Sequence, residues 1–506
     1  MKWKSVGQKR VKKATRREFL AEAGIAAGAV LTTPACSVLD TYFDVDKKYY
    51  NDEVVIVGAG AAGLAAAHTL KKKKIPYRLF EASRRVGGRV YTLETPEAKN
   101  GIELGVSSFQ LKHKIIFDLA KEYKLEIDEL ELNILQKKVF YYKLKWITQQ
   151  EIIHLLKPYL QKWSLTKIKL FSDHKGLSDV IVHPLAISFD QWKLRDYFNS
   201  LKPKMDSDLV QVLIHWIQTE MAMNENQLSA LQWLLFWEKE ATNSSLYKIQ
   251  GGNEKLLRAI YERVSGVIPD HLVQTQSPLT SIKESDGKFE CVFNTPKGVR
   301  RITTQFLILA LPASQLKSVY GLSDLPFAQL KKEAIAKLTL SSQVKMVLGT
   351  KEHWGQENSV DGLPIHTQLI SRQQLIKYSQ MQKQTEVTWS FPEGAKRPKI
   401  FQDEVLSELV SIYKKYRSSW NGQVHLLDWS QREWIKGATF HYSDSQFYKY
   451  RGIFTEPDFD GRLLFAGDYV HPTEWSSWGG ALETGVWAAE KISSIYTKFQ
   501  RKNRII

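Results

Sequence analysis

The clearest pattern in the chain is the unbroken apolar run Val54-Val55-Ile56-Val57, which empties into Gly58-Ala59-Gly60-Ala61-Ala62-Gly63. A run without polar alternation predicts a short strand buried on both faces, as in a parallel sheet. The Gly-x-Gly-x-x-Gly that follows predicts a tight turn into a helix over about 61–74. Gly58 permits the turn, Gly60 lets a pyrophosphate approach the backbone, and Gly63 lets the helix pack close to the strand. Ala61 and Ala62 open the helix, whose free N–H groups and positive dipole end would face the phosphates. Lys71 to Lys74 suit its negative end, and Ile75-Pro76 stops it. A second strand, Tyr77–Phe80, ends at Glu81-Ala82, and Glu81 lies eighteen residues after Gly63. A ribose-binding carboxylate is expected at about that place, and it favours a free 2′-hydroxyl over the 2′-phosphate of NADP.

Further along, the periodicity changes. Between about 112 and 246 the pattern is helical: Leu209, Val212, Leu213 and Trp216 share one face of an amphipathic run from Asp206 to Leu235. Trp216, Trp233 and Trp237 read as core. Gly251-Gly252 precedes another amphipathic helix, and strands are predicted over Val273–Ile282 and Phe289–Phe293, joined by a hairpin turn at Asp286-Gly287. Phe306–Pro312 is a buried strand with a proline stop. In Ser341–Leu348, alternation sets Lys345 and Val347 against Val344, Met346 and Leu348. The segment 355–450 has no clear period, although Trp389, Trp429 and Trp434 punctuate it. Near the end, Leu463-Leu464-Phe465 leads to Gly467-Asp468, then to Trp475, Trp478 and a helix opened by Gly479-Gly480-Ala481.

Composition narrows the reading. With 506 residues the chain is long enough for two or three domains, and 43% hydrophobic with 25% charged residues describes an ordinary globular protein. The net charge is +17, but residues 1–35 alone hold eight Lys/Arg against two Glu. The remaining excess forms no basic block interleaved with aromatics, so no nucleic-acid partner is expected. Cys36 and Cys291 are the two cysteines, which excludes an internal disulfide in the body and a cysteine-based metal centre; no metal site is expected. Residues 1–40 form a leader: a basic stretch, Arg16-Arg17-Glu18-Phe19-Leu20, and the small apolar run 23–33. This order is similar to a twin-arginine export signal, which predicts engagement of the export machinery and a place in the periplasm or bacterial cell envelope. Cys36 ends the leader as a candidate acylation site and membrane anchor.

After Glu81 comes Arg85-Val86-Gly87-Gly88-Arg89, a Gly pair between fixed positive charges, suited to a second clamp on a pyrophosphate. Together with the glycine turn, Glu81 and Glu103-Leu104-Gly105, it resembles the flavin-containing amine oxidase superfamily of monoamine, polyamine and L-amino-acid oxidases. The resemblance implies FAD rather than NAD, held without a covalent bond because no cysteine stands in the late region where covalently held flavin is attached. It implies an α/β fold: a discontinuous Rossmann-type (GR2-like) FAD-binding domain, from 50–110, 247–325 and 455–500, with an inserted α+β substrate domain from 111–246 and 326–454. It assigns Leu279, Gly467, Asp468, Gly480 and Ala481 to the cofactor. Lys345 matches the family lysine that reaches flavin N5 through a water, placed to move protons and activate O2. An aromatic cage is expected for the substrate: Trp478, with Trp475 as second choice, and Phe440 or Tyr442 opposite. Gly479 stands where the family carries Glu, a departure that affects this assignment. The implied activity is oxidation of an amine or amino acid at the carbon bonded to nitrogen, with O2 as acceptor. Two alternatives share the N-terminal motifs: a desaturase or protoporphyrinogen-type oxidase of a hydrophobic substrate, and a non-catalytic flavin-binding envelope protein.

Overall fold

The computed structural model describes residues 46–95, 98–130, 139–143, 145–170, 184–241, 245–266, 272–351, 401–412 and 416–503, with short strands between 359 and 391. The leader, its Arg16-Arg17 pair and Cys36 lie outside the described residues. The elements that position the site begin with β1 (Asp46–Val57), α1 (Ala61–Lys72), β2 (Tyr77–Phe80), α2 (Lys114–Glu122) and α3 (Gln149–Leu170). They continue with α4 (Ser207–Met221), α5 (Ala230–Ala241), α6 (Glu254–Ser265), β3 (Val273–Gln274), β4 (Leu279–Ser285), β5 (Lys288–Thr295) and β6 (Gly298–Leu309). The last are β7 (Ser342–Thr350), β8 (Gln384–Phe391), β9 (Trp420–Asp428), β10 (Leu463–Phe465) and α7 (Trp478–Asn503).

One sheet has the order β3-β2-β1-β6-β5-β4, and β10 also pairs with β6. β1 runs parallel to β2 and β6, and β10 runs parallel to the C-terminal part of β6. Apolar runs around 54–57, 306–309 and 463–465 thus lie side by side although hundreds of residues separate them. Their two faces enter different cores, as an unbroken apolar run requires. Val54, Ile56, Phe306, Ile308 and Leu464 pack with α1, α6 and α7. Val55, Val57, Leu307, Leu309, Leu463 and Phe465 pack into a second core that includes Trp216, Trp233 and Trp237. The three tryptophans are core residues, as their helical spacing predicted. A Cβ at Gly485 would lie 2.0 Å from the Ala62 carbonyl oxygen, so this glycine lets α7 cross α1 at close range.

The second sheet has β9, β7 and β8 at one end, continues through 376–381 and 369–370, and closes with 139–142 and 145–148. It draws on both stretches that separate the strands of the first sheet.

Several boundaries differ from expectation. α1 stops at Lys72 because Lys74 adopts a left-handed conformation (φ 58°) and the Ile75 N–H reaches back to Leu70. The strand expected over Val273–Ile282 is two strands: Gln276 (φ 53°) and Ser277 turn beneath residues 81–83, where their N–H groups bond the carbonyls of Ser83 and Glu81. The helical run from Asp206 is broken at Ala222 (φ 52°), and Asp206 caps α4 by accepting from the N–H groups of Asp208 and Leu209.

Candidate cofactor and active site

The carboxyl ends of β1, β2 and β6 open into a cavity of about 580 Å³, which extends to the strand β7 and the loop 429–439. Gly58, Gly60, Ala61 and Ala62 line it, and no side chain caps the N-terminus of α1. Each glycine has a different physical constraint. Gly58 has φ +104°, and a Cβ there would lie 2.4 Å from the Ala310 carbonyl oxygen. A Cβ on Gly63 would lie 1.8 Å from the Gly58 oxygen, so this position serves packing and does not line the cavity. A Cβ on Gly60 would meet nothing nearer than Gly88 Cα at 3.9 Å, so its bare face looks into open space beside the helix terminus. Such a terminus attracts an anion.

Glu81 and Ala82 line the same wall. One Glu81 oxygen accepts from the Ala59 N–H (2.7 Å), the other from the N–H and hydroxyl of Ser83 (2.8 Å each). A carboxylate has about four acceptor sites, so room for a hydroxyl remains. Arg85 is bound to its own turn: it donates to the carbonyls of Gly88 (2.7 Å) and Val90 (2.5 Å) and stacks over Tyr91 at 4.7 Å. Burial lowers its pKa, while Glu254 opposes the shift. Arg85 thus braces Gly87-Gly88 and, like both glycines, lines the cavity. Arg89 donates to Asp468 through both terminal nitrogens (2.9 and 2.5 Å) and to the Ala438 carbonyl (3.0 Å). Two residues assigned independently to the cofactor thus hold each other, with Asp468 buried.

Lys345 enters the cavity from β7, and its ammonium donates to the Ser107 hydroxyl (2.7 Å) and the Gly105 carbonyl (3.1 Å). Leu104 is buried in a small cluster with Val347 and Trp429 and does not line the cavity; its carbonyl accepts from the Trp429 indole at 2.9 Å. Glu103, two residues before Gly105, is buried, and burial raises its pKa despite hydrogen bonds from Asn253 and Thr92.

At the start of α7, Trp478 lines the cavity with its indole N–H unpartnered, and it meets Phe109 edge-on at 5.5 Å. Trp475 does not line the cavity; it packs against Phe447 (5.2 Å) and Tyr442 (6.0 Å). Phe440 and Tyr442 are likewise core residues and supply no cage wall. The lining aromatics include Trp429 and Trp434, which spacing did not single out because their stretch has no period. Ser107, Glu220 and Gln343 also line the cavity, with no signal in sequence beyond polarity. Leu279, Gly467 and Ala481 line it as expected. Gly480 does not, since its N–H is bound to the Ser477 hydroxyl (2.9 Å) and a Cβ would lie 2.3 Å from the Glu474 carbonyl oxygen. The unusual Gly479 has a cause: a Cβ there would lie 2.7 Å from the His113 ring. His113 and Lys112 both bind Glu474 (3.4 and 2.7 Å). Burial raises the pKa of this carboxyl, but His113 and Lys112 outweigh it and bring the value down to about 2.

A family model described as flavin-containing amine oxidoreductase matches residues 61–493. Flavin-containing amine oxidase B of Sus scrofa is 24% identical over 470 residues, 87% of this chain and 86% of the relative. The L-amino-acid oxidase of Demansia vestigiata is 23% identical over 460 residues, 82% of each chain. Among solved structures, wild-type putrescine oxidase bound to putrescine has a TM-score of 0.72 at 18% identity, covering 88% of this chain and 100% of its own. Cyclohexylamine oxidase from Brevibacterium oxydans IH-35A has a TM-score of 0.71 at 15% identity, covering 88% and 99%. At these identities the structural likeness is one of mixed α/β fold.

Proposed function

The chain belongs to the flavin-containing amine oxidoreductase family, whose members are FAD enzymes that oxidise amines, and from that membership we propose an oxidase of a primary or secondary amine or an L-amino acid. For a primary amine, substrate, O2 and water would give a carbonyl compound, ammonia and H2O2. The observation that carries this reading is the continuity of one cavity from the uncapped helix terminus at Gly60 to the Lys345 ammonium.

The residues fit FAD. The open face of Gly60 and the N–H groups of α1 would hold the pyrophosphate, and the spare acceptor site on Glu81 would hold a ribose hydroxyl. Gly87-Gly88, braced by Arg85, leaves backbone free to approach from the other side. Cys291 is buried in β5 and does not line the cavity, which supports a non-covalent flavin. FAD, when bound, supplies the hydride acceptor for the carbon next to nitrogen and passes the electrons to O2. Lys345, fixed by Ser107 and Gly105, would hold a water and a proton at the cavity wall. Trp429, Trp434 and Trp478 would exclude bulk water and supply an aromatic wall for the amine. Segments 50–110, 247–325 and 455–500 would form a Rossmann-type (GR2-like) FAD-binding domain; the parallel pairing of β1, β6 and β10 supports this. The second sheet, drawn from both intervening stretches, supports a substrate domain from 111–246 and 326–454. Export by the twin-arginine route, with anchoring through Cys36, rests on the leader sequence.

Anaerobic mixing of the flavin-loaded protein with monoamines, polyamines and L-amino acids tests the reaction, with bleaching of the flavin as the expected result. Bleaching by a porphyrinogen or polyisoprenoid alone would replace the amine reading, and bleaching by nothing would end the enzyme reading. Lys345→Met is expected to retain FAD but slow its reoxidation by O2; an unchanged rate removes the role given to Lys345.

A further inference from the structure

Two groups that accept from Lys345, the Gly105 carbonyl and the Ser107 hydroxyl, belong to residues 103–107, a segment held by several hydrogen bonds. The N–H groups of Leu104 and Gly105 bond the Tyr91 carbonyl (3.0 Å each), and the Leu104 carbonyl takes the Trp429 indole N–H. The remaining fastening converges on Asn253, fully buried just before α6. Its backbone N–H donates to Glu103 (2.7 Å), its side-chain NH2 donates to the Val106 carbonyl (2.9 Å), and its side-chain oxygen accepts from the Ile249 N–H (3.0 Å). The other Glu103 oxygen accepts from the Thr92 hydroxyl at 2.9 Å. The approach is tight enough to require glycine: a Cβ on Gly252 would lie 2.3 Å from the Thr92 methyl. Asn253 therefore grips residues 103 and 106, and the lysine's acceptors at 105 and 107 lie within and next to that grip.

Resting on the oxidase reading above, we infer that Asn253 is a positioning residue: through its side-chain bonds to Val106 and Ile249, which Asn253→Ala removes while the backbone bond to Glu103 stays, it sets where the Gly105 carbonyl and the Ser107 hydroxyl hold the Lys345 ammonium. Its side-chain amide is engaged by Val106 and Ile249, and Asn253 does not line the cavity, so it acts through the segment and not on a ligand. Displacement of a catalytic group by about 1 Å can cost two orders of magnitude in rate.

Two measurements on the full chain test this. In the flavin-loaded protein, the flavin is photoreduced without substrate and then mixed with O2. Asn253→Ala is expected to slow reoxidation by about tenfold or more, in the direction of Lys345→Met, and Ser107→Ala by a smaller factor, with FAD still bound. In the flavin-free protein, the acetylation rates of Lys345 and Lys331 by acetic anhydride are compared. Both lysines are buried, but Lys331 is held elsewhere by Asp458 at 2.6 Å. Asn253→Ala should speed acetylation of Lys345 and leave Lys331 unchanged. Equal gains at both lysines would make Asn253 merely structural and overturn the inference. So would normal reoxidation in both Asn253→Ala and Ser107→Ala while Lys345→Met is slow. A wild-type chain that binds no flavin would defeat the oxidase reading, whereas the acetylation comparison would still decide the role of Asn253.

Discussion

Removing Arg89 tests how the two distant ends of the chain are joined at the site. Arg89 and Asp468 are 379 positions apart, and their paired hydrogen bonds form a fork-to-fork ion pair. The Asp468 side chain is 4% exposed and that of Arg89 22%, so water screens the pair poorly. Arg89→Met leaves a buried carboxylate without its counter-charge, at a cost of about 3–5 kcal/mol. Asp468→Asn leaves the guanidinium without its carboxylate and should cost less, since Arg89 is more exposed and keeps the Ala438 carbonyl as acceptor. The double variant leaves no lone charge, so its cost should fall below the sum of the two by roughly 1–3 kcal/mol. Global unfolding of so long a chain is not expected to be two-state. The suitable assay is native-state hydrogen exchange of peptides covering β1–α1 and β10–α7 in the flavin-free protein, read as local opening free energies. Strict additivity, or a cost below about 1 kcal/mol for Arg89→Met, would mean that the pair does not form without the cofactor, and the account of a preformed site would fail.

The two glycines of the turn should behave in opposite ways. Gly63→Ala places a methyl 1.8 Å from a backbone oxygen and should abolish soluble expression, whereas Gly60→Ala meets nothing nearer than Gly88 Cα at 3.9 Å and should fold while losing FAD affinity on titration. Equal defects in both would remove the distinction between packing and ligand approach. The Glu474 carboxyl has a folded pKa of about 2 against 4.5 for the free group, so its stabilisation is complete above pH 4.5 and is lost as pH falls toward 2. After allowance for solvent around the half-exposed Lys112, it is worth about 2 kcal/mol at neutral pH. The local stability difference between wild type and Glu474→Gln should shrink steadily below pH 4.5; a pH-independent difference would contradict the assigned interaction. For export, replacing Arg16 and Arg17 by Lys should retain a folded, flavin-loaded protein in the cytoplasm of an expressing bacterium. Unimpaired appearance in the envelope fraction would refute the twin-arginine reading.

Sequence by itself determined the features that depend on neighbours along the chain. Val54–Val57 had to be buried on both faces, and it is. Lys345 and Val347 had to share one strand face, and the Gly-x-Gly-x-x-Gly turn had to bring a helix terminus to the end of a strand. Gly63 is explained by a contact within the turn itself, so its spacing was sufficient, whereas the close contact at Gly58 comes from Ala310 beyond the remote strand β6. Tertiary structure decided what depends on side chains meeting from remote segments. It tied Arg85 to its own turn at the cavity wall, and it paired Arg89 with Asp468. It buried Phe440 and Tyr442 in core and packed Trp475 against that core, while bringing Trp429 and Trp434 to the cavity. It also supplied the reason for Gly479, where the His113 ring occupies the space. Periodicity reports which face of an element is apolar, but not which of several apolar faces meets the cavity. That choice is made only when β1, β6, β7 and β10 assemble and the loops beyond them close on one another.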